Sequence, residues 1–568
     1  MARKVIDSLW NLWPFLLVLV VSIFMRFWDI SIFPKLEVDE DIYRYLADGF
    51  WSGQHEMFCI PYTYLPHPPL FFAIGNFFTM LFGNYIVSLR LLSALSGVLV
   101  CILIYAVISR YVDRKTGCIA GLAQAVMPTA IVFERLAVGY TLQVFYIFVS
   151  LYCFSRFVRI KYADEHQTDV VSSERIWVVF AGVAAGLGFI TEVGGVILVV
   201  LLVFYFFKQH YDFFWYIMPG AVLLPGMVYF LLFVRHPSWF IADLTINSGR
   251  NNMTLFLAAV MYGILIFLIP VARKAMSRMY DFSMKGIIVL WPLYAVIIAA
   301  VPMSYPLVRG GYGFYWIGIL GLFLLPRRTT QDNQLRIMLL SVAGSYILYN
   351  LFINRVDVFL LATLPFLSIG IGLITMQSWQ VWKSIVRCKY MKQISVLLAI
   401  LPICYIAWQS TNMLIGKLLI DRRQDVQALQ GVASYLRHHA DRDDLLVLGV
   451  ALNGEVDMRI ATISQFMYYQ ETDLAYAMVG EYYTNERLLF DISIESADYY
   501  VTTNRFSRFV RGEMTLEEYM GNYIDNKPVV EDMLLAKRKV SAMADWPYFA
   551  FGNLELYVRP ERYAHVQL

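Results

Sequence analysis

The chain has 568 residues, of which 59% are hydrophobic, 16% aromatic and only 16% charged, with a formal net charge of +3. Mean hydropathy is +0.57, a balance that excludes an ordinary soluble domain and describes a polytopic membrane protein. So small a net charge offers no basic surface for nucleic acid. The six cysteines (Cys59, Cys101, Cys118, Cys153, Cys388, Cys404) show neither metal-ligand spacing nor a disulfide framework.

From the N-terminus, Arg3-Lys4 leads into an apolar run, Trp13 to Met25, that lacks cleavable signal features and reads as a retained signal anchor. Apolar segments long enough to span a bilayer recur up to Trp408, about thirteen in all. They are expected at 10–28, 86–109, 116–133, 138–157, 176–191, 193–208, 213–234, 254–272, 286–303, 311–326, 336–353, 357–377 and 393–410. Basic residues gather in alternate connections, among them Arg110/Arg114/Lys115, Arg156/Arg159/Lys161, Arg273/Lys274/Arg278/Lys285, Arg327-Arg328 and Lys383/Arg387/Lys389/Lys392. By the positive-inside rule these connections and the N-terminus are cytoplasmic, and the loop after the first span lies outside. An odd number of spans then puts the C-terminus outside as well.

Residues 30–85 form a long first external loop, with amphipathic pieces at Ile42–Trp51 and Pro69–Phe82 suited to the interface. Beyond Trp408 the character changes, with soluble-surface sequence such as Asp421-Arg422-Arg423 and Asp441-Arg442-Asp443-Asp444. Strands are expected at Leu445–Val450, Tyr499–Thr503 and Leu554–Val558, and helices at Asp425–His438 and Leu516–Ile524. The expected organisation is a polytopic α-helical transmembrane domain over 1–412 and a small extracytoplasmic α/β domain over 415–568. No internal repeat is visible, which weighs against transporter folds built from repeated halves.

Just past the first span stands Asp39-Glu40-Asp41-Ile42-Tyr43. Consecutive acids beside low-dielectric surroundings are costly unless they face water, a metal or a reacting group. The bland alternative is a solvated loop, with Asp39 capping a short helix. The same external side collects His67-Pro68-Pro69, Arg90, Glu134-Arg135, Thr191-Glu192, Arg235-His236, Asp243, Arg250, Arg309 and Arg355. A few acids and several arginines at the lipid boundary suit one chemistry. An acid takes a proton from an attacking hydroxyl, and arginines neutralise a departing phosphate. Each residue also has a plainer reading. Arg90 could snorkel from a helix end, Glu134 and Arg135 could pair with each other, and Glu192 could meet a buried partner. His67 could make a structural hydrogen bond, and Arg309 could sit in an ordinary loop. No cofactor is certain: Asp39, Glu40 and Asp41 offer hard ligands for Mg²⁺ or Mn²⁺, yet arginines could do the same work without an ion.

The order of motifs resembles the GT-C superfamily of polytopic glycosyltransferases, in particular the branch holding protein O-mannosyltransferases and the lipid A aminoarabinose transferase. The carrying residues are the D-E-x-x-Y run Asp39–Tyr43, then His67-Pro68-Pro69-Leu70 for a K-P-P-L-like element. Arg90-Leu91-Leu92-Ser93-Ala94-Leu95-Ser96-Gly97 follows for R-L-x-S-A-x-x-G, and Arg135-Leu136-Ala137 for R-L-A. The resemblance implies a GT-C-like bundle whose donor is a polyprenyl-phosphate-linked sugar and whose acceptor is a hydroxyl on a protein, glycolipid or polysaccharide. It implies inverting transfer with Asp39 as catalytic carboxylate and Glu40 beside it. His67, Arg90, Arg135, Arg309, Arg355, Tyr43, Glu134 and Glu192 are then expected around donor and substrate. The sequence departs from the pattern at His67, where the family has lysine, at Tyr140, often an acid, and at Glu192, often a lysine. Near the twelfth span Val358 stands at the family's arginine position, with Arg355 about one helical turn away. Competing classes are a polar-lipid transporter or flippase and a non-catalytic scaffold that binds the lipid-phosphate sugar.

Overall fold

A computed structural model describes residues 2–30, 69–82, 85–162, 171–235, 317–326, 329–353, 361–385, 389–415, 445–448, 475–478, 497–520, 540–552 and 554–566, with isolated positions elsewhere such as Glu40, Tyr43 and Trp291. The chain divides into two units, one of residues 1–31 and 43–414, the other of 32–42 and 415–568.

The first unit is helical. Its elements are α1 (Ala2–Phe27), α2 (Leu70–Phe82), α3 (Tyr85–Tyr111), α4 (Arg114–Ala125), α5 (Pro128–Phe133), α6 (Tyr140–Lys161) and α7 (Val171–Phe189). After a 3₁₀ turn at Val193–Gly195 come α8 (Val196–Gln209), α9 (Tyr211–Met218), a π turn at Pro219–Leu223 and α10 (Leu224–Arg235). Then follow α11 (Thr330–Ile353), α12 (Leu364–Ile385) and α13 (Lys389–Ile415).

Among the described residues, Val87–Tyr111, Tyr140–Lys161 and Tyr211–Leu231 are helices long and apolar enough to cross a membrane; Leu12–Phe27, Leu70–Phe82 and Val193–Gln209 are shorter apolar helices. The expected span 116–133 is two helices, because Met127 is extended and Pro128 begins a new helix where its missing N–H costs nothing. The segments expected at 254–272 and 286–303 lie almost wholly outside the described residues.

α4 is held at its start by Asp113, whose carboxylate accepts from the Lys115 and Thr116 amides. α4 packs between α3 and α12, and α1 lies against both α3 and α4. α6 and α7 form an extensive antiparallel pair. The outward face of α9, the π turn and α10 leaves Trp215, Leu223, Met227 and Phe230 exposed, as a lipid-facing surface requires.

The second unit contains a five-stranded sheet of β1 (Leu445–Leu448), β2 (Ala475–Met478), β3 (Tyr499–Thr503), β4 (Tyr548–Phe551) and β5 (Leu554–Val558), in the order β2-β1-β3-β5-β4. β1 runs parallel to β2 and β3, while β5 is antiparallel to β3 and β4. Helices α14 (Asn504–Val510), α15 (Leu516–Met520) and α16 (Pro560–Val566) accompany it.

Strand alternation divides the sheet chemically. Tyr499 and Val501 join Leu554, Leu556 and Val558 in an apolar core against Ala428, Val432 and Leu436. The intervening residues pair as Tyr500 with Tyr557 and Thr502 with Glu555. There Glu555 accepts from Ser507 Oγ at 2.5 Å and from Arg511 Nη1 at 2.7 Å, so its buried charge is compensated.

Candidate functional site

The candidate site is built from the end of α1. A helix leaves its last carbonyls without intrahelical partners, and here cations supply them. The helix stops at a turn over residues 28–30, where Asp29 takes a positive φ of 50°, a conformation Asp tolerates better than most residues. Arg135 donates through Nη1 to Met25 O at 3.1 Å and through Nη2 to Trp28 O. Arg90, near the start of α3, donates through Nη1 to Ile30 O at 2.9 Å. Both guanidinium-bearing residues are buried, so Arg90 is not a snorkelling side chain. Burial and then Arg90 push Arg135 down to about 9, with Asp29 opposing them. An arginine remains charged in such a setting, so the shift measures how strongly this spot favours added negative charge.

Glu134 does not pair with Arg135. Its partner is Arg26, from the last turn of α1, whose Nε donates to Glu134 Oε2 at 2.5 Å. The same guanidinium donates to Ala125 O at 3.1 Å and Gln124 O at 3.2 Å. Gln124 donates to Glu134 Oε1 at 2.9 Å and accepts at 2.9 Å from Ser368 in α12. This buried clasp joins α1, α4, the turn after α5, and α12, and it gives Glu134 a structural task.

The R-L-x-S-A-x-x-G pattern acquires a physical meaning here. Positions 90, 93 and 97 share one face of α3. Arg90 reaches Ile30 O, and Ser93 Oγ donates to Val138 O at 3.1 Å. A Cβ on Gly97 would lie 2.5 Å from Glu134 Oε2 and 2.8 Å from Arg26 Nε, so only glycine admits the clasp.

A second pairing lies at the junction of α7 and α8. Tyr43, the last residue of the acidic run, donates its hydroxyl to Glu192. Both side chains are buried. Tyr43 also packs its ring against Phe71 and Phe72 of α2, at centroid distances of 5.4 and 5.3 Å. The remaining expected residues divide as follows. Glu40 is helical and buried, whereas Asp39, Asp41, His67, Arg309 and Arg355 lie outside the described residues, as do His236, Asp243 and Arg250. Among the described residues no group of three or more His, Cys, Asp or Glu could hold a metal.

Sequence reasoning missed Arg26, Asp29, Gln124 and Ser368. Arg26 carried a usable signal, a charge in the last turn of an apolar span, where it must find a partner. Gln124 and Ser368 are ordinary polar residues in apolar helices, and nothing along the chain marks them.

Comparison with known proteins bears on this architecture. Residues 66–239 match the family model described as dolichyl-phosphate-mannose-protein mannosyltransferase. That segment includes His67, Arg90, Glu134, Arg135 and Glu192 and begins after the acidic run. The match bears out the resemblance to GT-C glycosyltransferases and, with it, the reading of the chain as a membrane-integral transferase enzyme. No curated protein matches the chain.

Among solved structures, the oligosaccharyltransferase AglB from Archaeoglobus fulgidus, in complex with an inhibitory peptide and a dolichol-phosphate, is similar at 14% identity, with 98% of this chain and 75% of that chain covered and a TM-score of 0.51. The same enzyme tethered to an acceptor peptide is similar at 13% identity, covering 95% and 72%, with a TM-score of 0.52. ArnT from Cupriavidus metallidurans bound to undecaprenyl phosphate matches at 15% identity, covering 96% and 97%, with a TM-score of 0.49. The two AglB likenesses are likenesses of fold.

Proposed function

We propose that the chain transfers a sugar from a polyprenyl-phosphate donor to a hydroxyl acceptor on the extracytoplasmic side of the membrane. In this reading the acceptor oxygen attacks the anomeric carbon opposite the phosphate, with inversion. The bond between that carbon and the phosphate oxygen breaks, Asp39 takes the acceptor proton, and polyprenyl phosphate leaves. Glu40 stands beside Asp39 in this scheme. Arg90 and Arg135, together with His67, Arg309 and Arg355, compensate the charge that grows on the phosphate.

The observation that carries the reading is the convergence of Arg90 and Arg135 on the carbonyls of Met25, Trp28 and Ile30, in the segment that leads along the chain to the acidic run. Burial and the neighbouring Arg90 disfavour the charge on Arg135, so an added anion there would be stabilising. A lipid phosphate is such an anion, and the AglB structure of similar fold holds a dolichol-phosphate. Asp39 and Asp41 carry hard oxygens that suit Mg²⁺ or Mn²⁺, but the scheme runs no step through an ion.

The test is Asp39→Asn, which keeps side-chain volume and removes basicity. Abundance and melting temperature are expected to stay at wild-type values while transfer falls by roughly a thousandfold or more, the upper part of the range for a lost general base. Mass spectrometry of lipid-linked sugars and candidate acceptors, in cells with wild-type or variant protein, reads the outcome. Normal transfer by the Asn variant rejects the mechanism.

A further inference from the structure

We propose that Glu192 is a positioning residue, which through the hydroxyl of Tyr43 fixes the end of the acidic run that carries Asp39. The proposal rests on the transfer reading above and deepens it.

Glu192 is placed with unusual care for a carboxylate between two apolar helices. Its amide N–H donates to Gly188 O at 3.2 Å, and its carbonyl accepts from Gly195 N at 3.0 Å. That carbonyl also accepts from the side-chain amide of Gln143 in α6 at 3.1 Å. The carboxylate lies over Gly139, at the start of α6, so closely that a Cβ there would sit 2.8 Å from Oε1. Tyr229 of α10 and Tyr349 of α11 are near enough to feel its charge. Neighbouring groups are tied into the same corner: Tyr346 donates to Gly194 O at 3.1 Å, and Leu70 N donates to Ile190 O at 3.4 Å.

Against this fixed corner stands Tyr43. Its ring is held by Phe71 and Phe72, and its one polar atom is directed at Glu192. Four residues separate Tyr43 from Asp39, so an anchor at 43 limits the reach of the carboxyl to roughly 14 Å of extended chain. Catalytic carboxylates need far tighter placement than that, and a buried hydrogen bond to a charged acceptor is a strong local constraint. The arrangement also accounts for an acid at 192: a tyrosine hydroxyl can donate to a carboxylate, whereas an ammonium there would compete as a donor.

The experiment uses full-length protein in nanodiscs, with a polyprenyl-phosphate-linked hexose as donor probe, an excess of a serine- and threonine-containing peptide and of a simple alcohol as hydroxyl acceptors, and release of polyprenyl phosphate with formation of the glycosylated acceptor read by mass spectrometry. Amide hydrogen exchange over residues 36–46 is measured on the same samples. Tyr43→Phe removes only the hydroxyl and is expected to lower kcat roughly 10- to 100-fold, with KM for the probe unchanged. Glu192→Gln keeps an acceptor and is expected to lose less. The double variant is expected to match Tyr43→Phe alone, because both changes break one link. Exchange over 36–46 is expected to rise in all three while the melting temperature holds.

Additive losses, a change confined to KM, or unaltered exchange overturns the proposal. Loss of melting temperature without a local rise in exchange does so too, since that is what a merely structural bond would give. Asp39→Asn is run alongside. If wild-type protein releases nothing, or Asp39→Asn releases normally, the transfer reading fails and exchange alone judges the latch. If Asp39→Asn is dead and Tyr43→Phe is normal in both readouts, the latch fails and the transfer reading stands.

Discussion

Glu134 illustrates how the fold can give a side chain a partner other than its neighbour along the chain. Beside Arg135 in a turn, it looks like half of a local ion pair or a substrate contact. In the fold it closes on Arg26, 108 residues earlier, inside a cage of backbone carbonyls. Removing one member of a buried pair strands the other charge, at a cost of about 3–5 kcal/mol. Glu134→Gln is therefore expected to lower the melting temperature sharply, and Gly97→Ala to lower it less, because the added methyl pushing into the clasp costs about 1–3 kcal/mol of stability. Thermal unfolding in detergent checks both. Glu134→Gln with an unchanged melting temperature and reduced transfer would instead assign Glu134 to substrate. The motif residues Arg90, Ser93 and Gly97 were visible from the sequence as a pattern, whereas their partners Ile30, Val138 and Glu134 were not, because pairing across tens of residues leaves no periodic trace.

Helices show what hydropathy can and cannot mark. The run expected at 86–109 is Tyr85–Tyr111, 138–157 is Tyr140–Lys161, and 193–208 is Val196–Gln209. Elsewhere the helices outrun the apolar stretch, as in Ala2–Phe27 for 10–28 and Thr330–Ile353 for 336–353. A hydropathy window reads the thickness of the hydrocarbon, while hydrogen bonding carries a helix on into polar sequence until a cap stops it. The extended β5 and β3 strands were legible from β-branched and aromatic runs, whereas β2, Ala475–Met478, holds one aromatic and no β-branched residue and lacked that signature.

The joint between α8 and α9 adds a measurable pH response. His210 closes one helix and opens the next, with its ring against Phe157 and Tyr205 and its Nε2 3.2 Å from Tyr162 Oη. Burial first, and Lys161 second, push it down to about 4. Between that value and the ordinary 6.5 the unfolded chain binds a proton that the folded chain refuses. Stability from this group is therefore complete above about pH 6.5 and is lost as the pH falls toward 4. Unfolding temperatures recorded from pH 4 to 8 should show that slope in the wild type and a flatter one in His210→Gln. Equal slopes would remove His210 from the account.

At the scale of the helical unit, cations stacked on aromatic rings gather at one end and the buried carboxylates at the other. The end formed by the α3–α4 and α6–α7 connections carries Arg110 over Tyr152, Lys115 over Trp379, Arg156 over Trp177 and Lys161 over Phe213, each cation about 5 Å from the ring centre. These are the cations that interfacial aromatics hold at a headgroup layer. Following α1, α5 and α7 to their other ends reaches Asp29, Glu134 and Glu192 instead. By the positive-inside rule the first end is expected in the cytoplasm and the turn at Asp29 on the opposite side. An epitope inserted between Tyr162 and Val171 should be shielded in intact cells, and one after Leu568 should be reached by an impermeant antibody or protease. Exposure of the 162–171 epitope in intact cells would invert the topology. It would move the acidic run into the cytoplasm and remove the physical reason for expecting a lipid-linked donor, since soluble nucleotide sugars would then compete for the same face.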